Sequence, residues 1–461
     1  MAIILSHSQV YPETKIKYNR KFVYLISAVV ALGGILFGFD LVIISGTVPF
    51  FTEHFGLSEA ATGWAVGCIN LGAAVGALAA GKLSAAIGRK KVLLFCSFLF
   101  AVTGVATGWA GDFTWFIIAR LSSGIAVGIA ALVCPMYIAE VAPAPMRGRL
   151  VSFYQLAIVS GLLLAYFSNY LLLDSGINNW RWMFSSQAIP ATLFFFGLFL
   201  IPESPRWLIK KGIPTRAQAV LSKIGGKEYG ETEARNIQNS FLSEVRESLA
   251  DLFKMDVRHI VFIGAMVAIF SQAGGQNSIF SFAPVIFQQA GVATEAAFFQ
   301  SVIIGLVNFI FTFFAIYFID KIGRRKLLLY GSVLLCLDAL ALAFCFFIEA
   351  PGLLILIFVL GFIGIYSATL GPVTWVILSE IFPNRIRSNS MALATLCLWI
   401  ANFFTTASFP ILKSQFGLFG TFAIHAGICF VYFLFVKKNI PETKGKSLEE
   451  IEIQLIKKHL S

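Results

Sequence analysis

The sequence predicts an all-α membrane protein: twelve transmembrane helices in two six-helix pseudo-repeats, joined by a polar helical linker. Three observations carry this. Of 461 residues, 58% are hydrophobic, 15% aromatic and only 13% charged, against about 25% charged in soluble proteins. Apolar runs long enough to span a bilayer recur twelve times. Short motifs of the first half return about 240 residues later.

A helix crosses the hydrocarbon core in about 20 residues. Runs at 22–44, 60–81, 92–110, 114–139, 150–173 and 183–201 supply six spans, and 260–288, 298–319, 327–348, 352–379, 390–412 and 417–436 supply six more. The polar segment HSQVYPETKIKYNRK precedes the first run, and GGILFGFD offers no small-residue cleavage site, so the start is expected to be retained rather than removed as a signal peptide. The expected organisation is a tail (1–21), a six-helix bundle (22–202), a linker (203–257), a second bundle (258–436) and a tail (437–461).

Charge orients these spans. The net charge is +11, yet 32 of the 35 Lys and Arg fall in one alternating set of loops and the two tails; only Arg120, Arg181 and Lys413 do not. The positive-inside rule makes that side cytoplasmic. The basic balance therefore reports orientation, no nucleic-acid partner is expected, and both termini are expected in the cytoplasm. Cys68, Cys96, Cys134, Cys336, Cys345, Cys397 and Cys429 all fall in apolar runs without CxxC or metal-ligand spacing, so they read as packing residues. Neither metal nor cofactor is expected, and without a reactive His-Cys or Ser-His-Asp cluster on one membrane face neither is an enzyme.

The one long polar stretch, 203–257, contains ETEARNIQNSFLSEVRESLADLF, where Leu242, Val245, Leu249 and Leu252 recur at three- and four-residue steps. That spacing predicts an amphipathic helical face; a disordered linker is the alternative.

The internal echoes are specific. IGRKK (87–91) returns as IGRRK (322–326); Glu140, Pro143 and Arg147 return as Glu380, Pro383 and Arg387; Pro202-Glu203 returns as Pro441-Glu442. Two parallel repeats with a site between them allow one half to rock against the other. With PESPRWL (202–208), YIAEVAPAPMRGRL (137–150), GPVTWVILSEIFPNRIR (371–387) and PETKGKSLEEIE (441–452), the chain resembles, over essentially its whole length, the sugar-porter family of the major facilitator superfamily.

The resemblance implies roles for the charges at the cytoplasmic helix ends. Arg89, Glu140, Arg147, Arg149, Glu203, Arg206, Asp320, Arg324, Glu380, Arg385 and Arg387 match positions of an inter-helix charge network that closes the cytoplasmic side. Arginine suits this role because its planar fork holds carboxylates bidentately. Flanking charge that only fixes topology is the plainer reading of each residue. The first-half loop reads GKLSAAIGRK, with Ala85 and Ala86 where the family usually has an acid and a base, whereas the second copy keeps Asp320. A weaker first-half latch is the expectation.

Asp40 is an acid in the apolar stretch GGILFGFDLVIISG, and Arg120 opens the apolar run of span four. A charge near the bilayer centre costs about 2.5–3.5 kcal/mol or more, so such residues are paired or functional. Pairing of Asp40 with Arg120 is the economical reading, with a purely structural carboxylate as the alternative. By resemblance, proton-coupled sugar porters carry an acid at this position, which implies a proton-coupling pair. Asp338 and His425, in late spans, belong to no recognised motif and read as satisfied interior contacts.

A sugar offers hydroxyls and an apolar ring face, which amides and aromatic rings can hold without fixed charge. Matched motif by motif, Gln155, Gln272, Asn277, Asn308, Gly371, Trp375 and Trp399 fall on family sugar-contact positions; Gln276 and Asn402 are further amides in the same spans. A lone intramembrane amide is more often a helix–helix contact. The family's QQ and YY pairs are altered to Ser271 and to Ser281-Phe282, while Leu162 and Leu398 add apolar surface, so long hydrogen-bonding arms are fewer. Gly274, Gly275 and Pro284 would loosen span seven into an outer gate; close helix packing is the alternative reading of the glycines.

The resulting expectation is a sugar:proton symporter working by alternating access as a monomer in a plasma membrane, taking a neutral monosaccharide, hexose or pentose. A facilitative uniporter and an inositol or polyol symporter are the alternatives within the family. A nutrient sensor would want a longer signalling tail, and a drug exporter different motifs. Short external loops and no evident glycosylation acceptor in them point to a bacterial inner membrane.

Overall fold

The computed structural model describes residues 17–242, 252, 257–383, 386–446 and 450–451. Spans one to five are single helices: Arg20–Phe55, Glu59–Ile87, Arg89–Gly108, Phe113–Val141 and Ala144–Leu171. The sixth is two pieces, Asn179–Ser186 and Ala188–Phe199, meeting at Gln187. The seventh is broken between Arg258–Ala273 and Gln276–Gln289. The eighth (Thr294–Ile322) and ninth (Arg324–Phe347) are continuous, and the tenth divides at Thr369 into Gly352–Ala368 and Leu370–Ile381.

The last helical run, Arg387–Asn439, has 53 residues, which as one straight rod would measure about 80 Å and overshoot any bilayer. Gly417, at φ 65° and ψ 179°, interrupts it. Only a residue without a Cβ adopts that backbone at no cost, and the chain turns there into spans eleven (387–416) and twelve (418–439). Twelve spans result, and among the described residues there is no strand.

Span one enters and span twelve leaves at the same end of the bundle, here the terminal end; the opposite one is the far end. Two helix starts at the far end are capped by side chains: Ser58 Oγ accepts from Ala61 N at 3.3 Å, and Asp112 Oδ1 from Trp115 N at 2.9 Å. These bonds satisfy donors that a helix start leaves open. In the first half, spans one and five approach so closely that a methyl on Gly38 would collide with the Ile158 carbonyl, and one on Gly161 with that of Ile35. Small residues allow such contact, which between apolar helices in lipid is the main source of attraction. It fixes the span bearing Asp40 against the span bearing Gln155. Leu78, Phe98, Leu193, Phe313 and Leu337 are among the large apolar side chains exposed on the outside of the bundle, as a lipid-facing surface requires.

The linker contains three helices among the described residues: Pro205–Lys210, Pro214–Gly225 and Lys227–Leu242. Proline at the first helical position starts two of them. Ala217, Leu221 and Ile224 form the buried face of the second. Of the apolar positions anticipated farther on, Val245, Leu249 and the side chain of Leu242 lie outside the described residues; Leu252 packs with Val257, Val261 and Ile386.

Candidate functional site

Asp40 and Arg120 meet. Arg120 Nη1 donates to Asp40 Oδ1 at 2.7 Å, with side chains 1% and 0% exposed. Ser123, one turn along span four, donates to the other carboxylate oxygen. Gln187, at the break of span six, sits 3.5 Å from Ser123 Oγ and from the Phe100 carbonyl. Phe184 places its ring 5.7 Å from the guanidinium carbon. Arg120 Nε and Nη2 are buried with no hydrogen-bond partner among the described residues. A buried carboxylate–guanidinium pair of this kind depends on both charges, because neutralising one leaves the other stranded at a cost of about 3–5 kcal/mol. Ser123 and Gln187 were not anticipated; a serine one turn after the arginine was the available signal.

The amides of span seven gather at its break. Asn277 Nδ2 donates to Gln272 Oε1 at 2.6 Å, Gln272 Nε2 to Ser271 Oγ at 3.2 Å, and Gln276 Nε2 to the Ser271 carbonyl at 2.7 Å. The Tyr366 hydroxyl faces Gln272 and Gln276. Asn308 accepts from Ser367 Oγ at 2.7 Å. Trp399 stands 5.8 Å from the Phe37 ring across the boundary between halves, and its indole nitrogen is buried without a partner among the described residues. Gln155 is half-buried on span five, Gly371 opens the second piece of span ten, and Trp375 is 38% exposed. Amide groups and an indole donor beside aromatic rings are the donor set a polyhydroxylated ring needs.

Asn402 is used differently. Its Nδ2 donates to Asn70 Oδ1 at 2.9 Å, and Asn70 Nδ2 donates to Thr406 Oγ1 at 3.3 Å, so these amides join span two to span eleven. Among the described residues the other polar contacts between halves also lie toward the far end: Tyr166 to the Phe280 carbonyl at 2.8 Å and Lys413 to Glu59 at 3.6 Å. Outside the stacked rings of Phe282 and Phe409, a cavity of about 200 Å³ holds Thr52, Glu59, Thr62, Gln288 and Lys413.

At the terminal end the arginine–carboxylate contacts among the described residues stay within each half. In the first, Arg89 grips Glu140 with Nε (2.9 Å) and Nη2 (2.8 Å), Ser204 Oγ donates to Glu140 at 2.5 Å, and Glu203 accepts from Arg89 N at 2.9 Å. The second half repeats it: Arg324 contacts Glu380 at 3.1–3.2 Å, Thr443 Oγ1 donates to Glu380 at 2.6 Å, and Glu442 accepts from Arg324 N at 3.0 Å. Burial pushes the Glu203 carboxyl above its ordinary range, against the pull of the backbone N–H groups of Ser204, Lys90 and Arg89. Other predicted members do not reach these carboxylates: Arg149 lies over Phe153, Arg206 over Phe241, and Arg387 donates to the Phe382 carbonyl. Arg147 lies near Tyr229. Arg385 and the side chain of Asp320 lie outside the described residues. Ser204, Glu442 and Thr443 extend the network, and the doubled Pro-Glu-Ser/Thr sequence was the signal for them.

Asp338 departs from the reading of a satisfied contact: its Oδ2 is buried without a partner among the described residues, beside Gly361. His425 bonds through Nδ1 to the Ala273 carbonyl at 3.2 Å.

Comparison with known proteins agrees with this geometry. The model of the family described as "Sugar (and other) transporter" matches residues 26–455. The arabinose-proton symporter of Bacillus subtilis (strain 168) is 38% identical over 447 residues, covering 95% of this chain and 96% of that one. The inward-open conformation of the xylose transporter XylE from E. coli superposes with a TM-score of 0.85 at 35% identity, over 94% of this chain and all of the other. The same proton:xylose symporter bound to 6-bromo-6-deoxy-D-glucose gives 0.77 at 35% identity, over 95% of this chain and 100% of the other. Twelve spans in two echoing halves, a doubled arginine–carboxylate motif and near-complete coverage by these relatives lead to one conclusion: the chain belongs to the sugar transporter family of the major facilitator superfamily.

Proposed function

We propose that the protein imports a neutral monosaccharide, with a pentose as the first candidate, together with a proton. The observation that carries this reading is the fully buried Asp40–Arg120 pair with Ser123 on the second carboxylate oxygen. Ionised Asp40 ties span one to span four. Its protonation removes half of the ion pair and leaves Arg120, whose Nε and Nη2 already lack partners among the described residues, as an uncompensated buried charge. The packing of the halves that relieves this cost is then favoured, so proton binding biases which end opens. Substrate enters the same balance through Gln272, Asn277, Asn308, Gln155, Gly371 and the rings of Trp375 and Trp399, which come from spans five, seven, eight, ten and eleven.

The excess of positive charge supports a cytoplasmic terminal end. With the halves joined near the far end and their charge networks separate at the terminal end, the conformation described is inward-facing. In the outward-facing state the two networks approach each other and Arg147, Arg206, Arg385 and Arg387 take up carboxylates. A monomer contains every group this cycle uses. The names of relatives, an arabinose-proton symporter and a xylose transporter, support a pentose, as do the shortened arms at Ser271 and Ser281.

The test is Asp40→Asn in proteoliposomes. One proton driven by 100 mV supplies about 2.3 kcal/mol, enough for roughly forty-fold accumulation at 1.4 kcal/mol per decade. The variant loses accumulation of D-xylose or L-arabinose and retains exchange. Accumulation by the variant equal to that of the parent would remove the proton-site assignment and leave a facilitative carrier.

A further inference from the structure

His425 is a buried imidazole in span twelve that the coupling pair and the amides do not account for; it is 3% exposed. It sits against the break in span seven. Gly275, at φ 103°, ends the regular helix, and a Cβ there would lie 2.7 Å from His425 Cγ. The ring therefore occupies the hollow that a glycine leaves. His425 Nδ1 contacts the Ala273 carbonyl at 3.2 Å, and Cys429, one turn on, points its thiol at the Gly274 carbonyl at 3.8 Å. In an unbroken helix both carbonyls would accept from backbone N–H groups four residues ahead. A carbonyl can only accept, so Nδ1 carries the proton and the neutral tautomer is fixed; Nε2 has no partner among the described residues.

The two pieces of span seven are otherwise tied by Gln276 Nε2 on the Ser271 carbonyl and by Asn277 Nδ2 on Gln272 Oε1. Gln272 and Asn277 are the amides assigned to substrate. Once they turn to sugar hydroxyls, their mutual bond is released, and a glycine hinge has no stiffness of its own. The Gln276–Ser271 bond then remains within span seven, and a contact from another span, independent of the sugar, anchors the angle to the bundle.

We propose that His425 is a positioning residue for substrate binding: its Nδ1–H bond to the Ala273 carbonyl fixes the bend of span seven and so keeps Gln272 and Asn277 in register with the substrate. This rests on the assignment of those two amides to the sugar. Its consequence is a change in affinity more than in turnover.

The experiment compares His425→Ala, His425→Leu and His425→Asn with the parent in proteoliposomes, using whichever of D-xylose and L-arabinose has the lower parent KM. Loss of one ordinary hydrogen bond predicts a rise of about five- to tenfold in KM for the Ala and Leu variants, with Vmax within about twofold. Asn places an N–H donor where Nδ1 stood and restores KM to within about twofold. Leu keeps volume in the hollow and serves if the Ala variant does not fold. Unchanged KM in the Leu variant, or an Asn variant no better than Leu, overturns the proposal. So does a loss confined to Vmax and thermal stability, which is what filling space alone would produce. Gln272→Ala separates the layers: if it raises KM while the Leu variant does not, only the role of His425 fails. If Gln272→Ala leaves KM unchanged, or the parent takes up neither sugar saturably, the substrate site itself fails and this inference with it.

Discussion

Asn70→Ala tests the idea that the halves are held together near the far end. The substitution removes two hydrogen bonds between halves, to Thr406 at 3.3 Å and from Asn402 at 2.9 Å. Each contributes about 0.5–1.5 kcal/mol net, and a buried amide left unpaired costs about 1–3 kcal/mol. Thr406 keeps its bond to the Asn402 carbonyl, so the stranded group is the Asn402 side chain, which is 4% exposed. A total near 2 kcal/mol falls on the closed state alone, because in a state open at the far end these groups are apart and hydrated. At 1.4 kcal/mol per decade this shifts the equilibrium about thirty-fold toward opening. The assay is alkylation, by a membrane-impermeant maleimide added on the far side, of a reporter cysteine replacing Gln155, midway along span five. The native cysteines are buried or half-buried. The labelling rate rises about ten- to thirty-fold in the variant. The Lys413–Glu59 pair, at 3.6 Å and with its carboxylate side chain 45% exposed, is worth at most about 1 kcal/mol, so added salt alone changes the rate by less. An unchanged or slower rate in Asn70→Ala would refute the far-end closure.

Two further outcomes follow from the same geometry. Trp399→Ala removes the ring facing Phe37 and an indole donor without a partner among the described residues; KM for D-xylose rises about five- to tenfold, and uptake kinetics with an unchanged KM would take Trp399 out of the site. For Glu203, burial raises the folded carboxyl above its reference value of 4.5. The folded state then binds the proton more tightly, so this group favours folding below that value and loses the contribution as pH rises through the raised pKa. Glu203→Gln flattens this slope; thermal unfolding in detergent across that window shows the parent losing stability relative to the variant as pH rises, and the opposite slope would contradict the burial argument.

The spans were legible because lipid forces backbone bonds inside helices and apolar side chains outside them. Their ends were not. Span one continues to Phe55 although its apolar run stops at Leu41–Ile44, because Thr47 and Val48 face protein and Thr47 Oγ1 bonds to the Ile44 carbonyl. The glycines announced the break in span seven. The other two breaks each precede a proline by three residues, Pro190 after Gln187 and Pro372 after Thr369, and the missing N–H and ring of each interrupt the helix one turn earlier. Asp40 and Arg120 could be paired from the cost of burying either alone, whereas Ser123 and Gln187 depend on which face each helix turns inward. The same limit hid Asn402, whose depth resembles that of the sugar amides but whose direction serves span two. Arg147 and Arg387 occur in a doubled motif, yet here they stay off Glu140 and Glu380, because a motif records residues that meet at some stage of a cycle and one conformation contains a single stage.

The most direct measurement is proton movement driven by sugar alone. D-xylose or L-arabinose is added to lightly buffered proteoliposomes with no imposed gradient, and external pH is followed. Coupled entry makes the medium more alkaline in step with sugar uptake, and Asp40→Asn abolishes the pH change while exchange persists. Sugar entering the parent vesicles with no change in external pH would contradict the account.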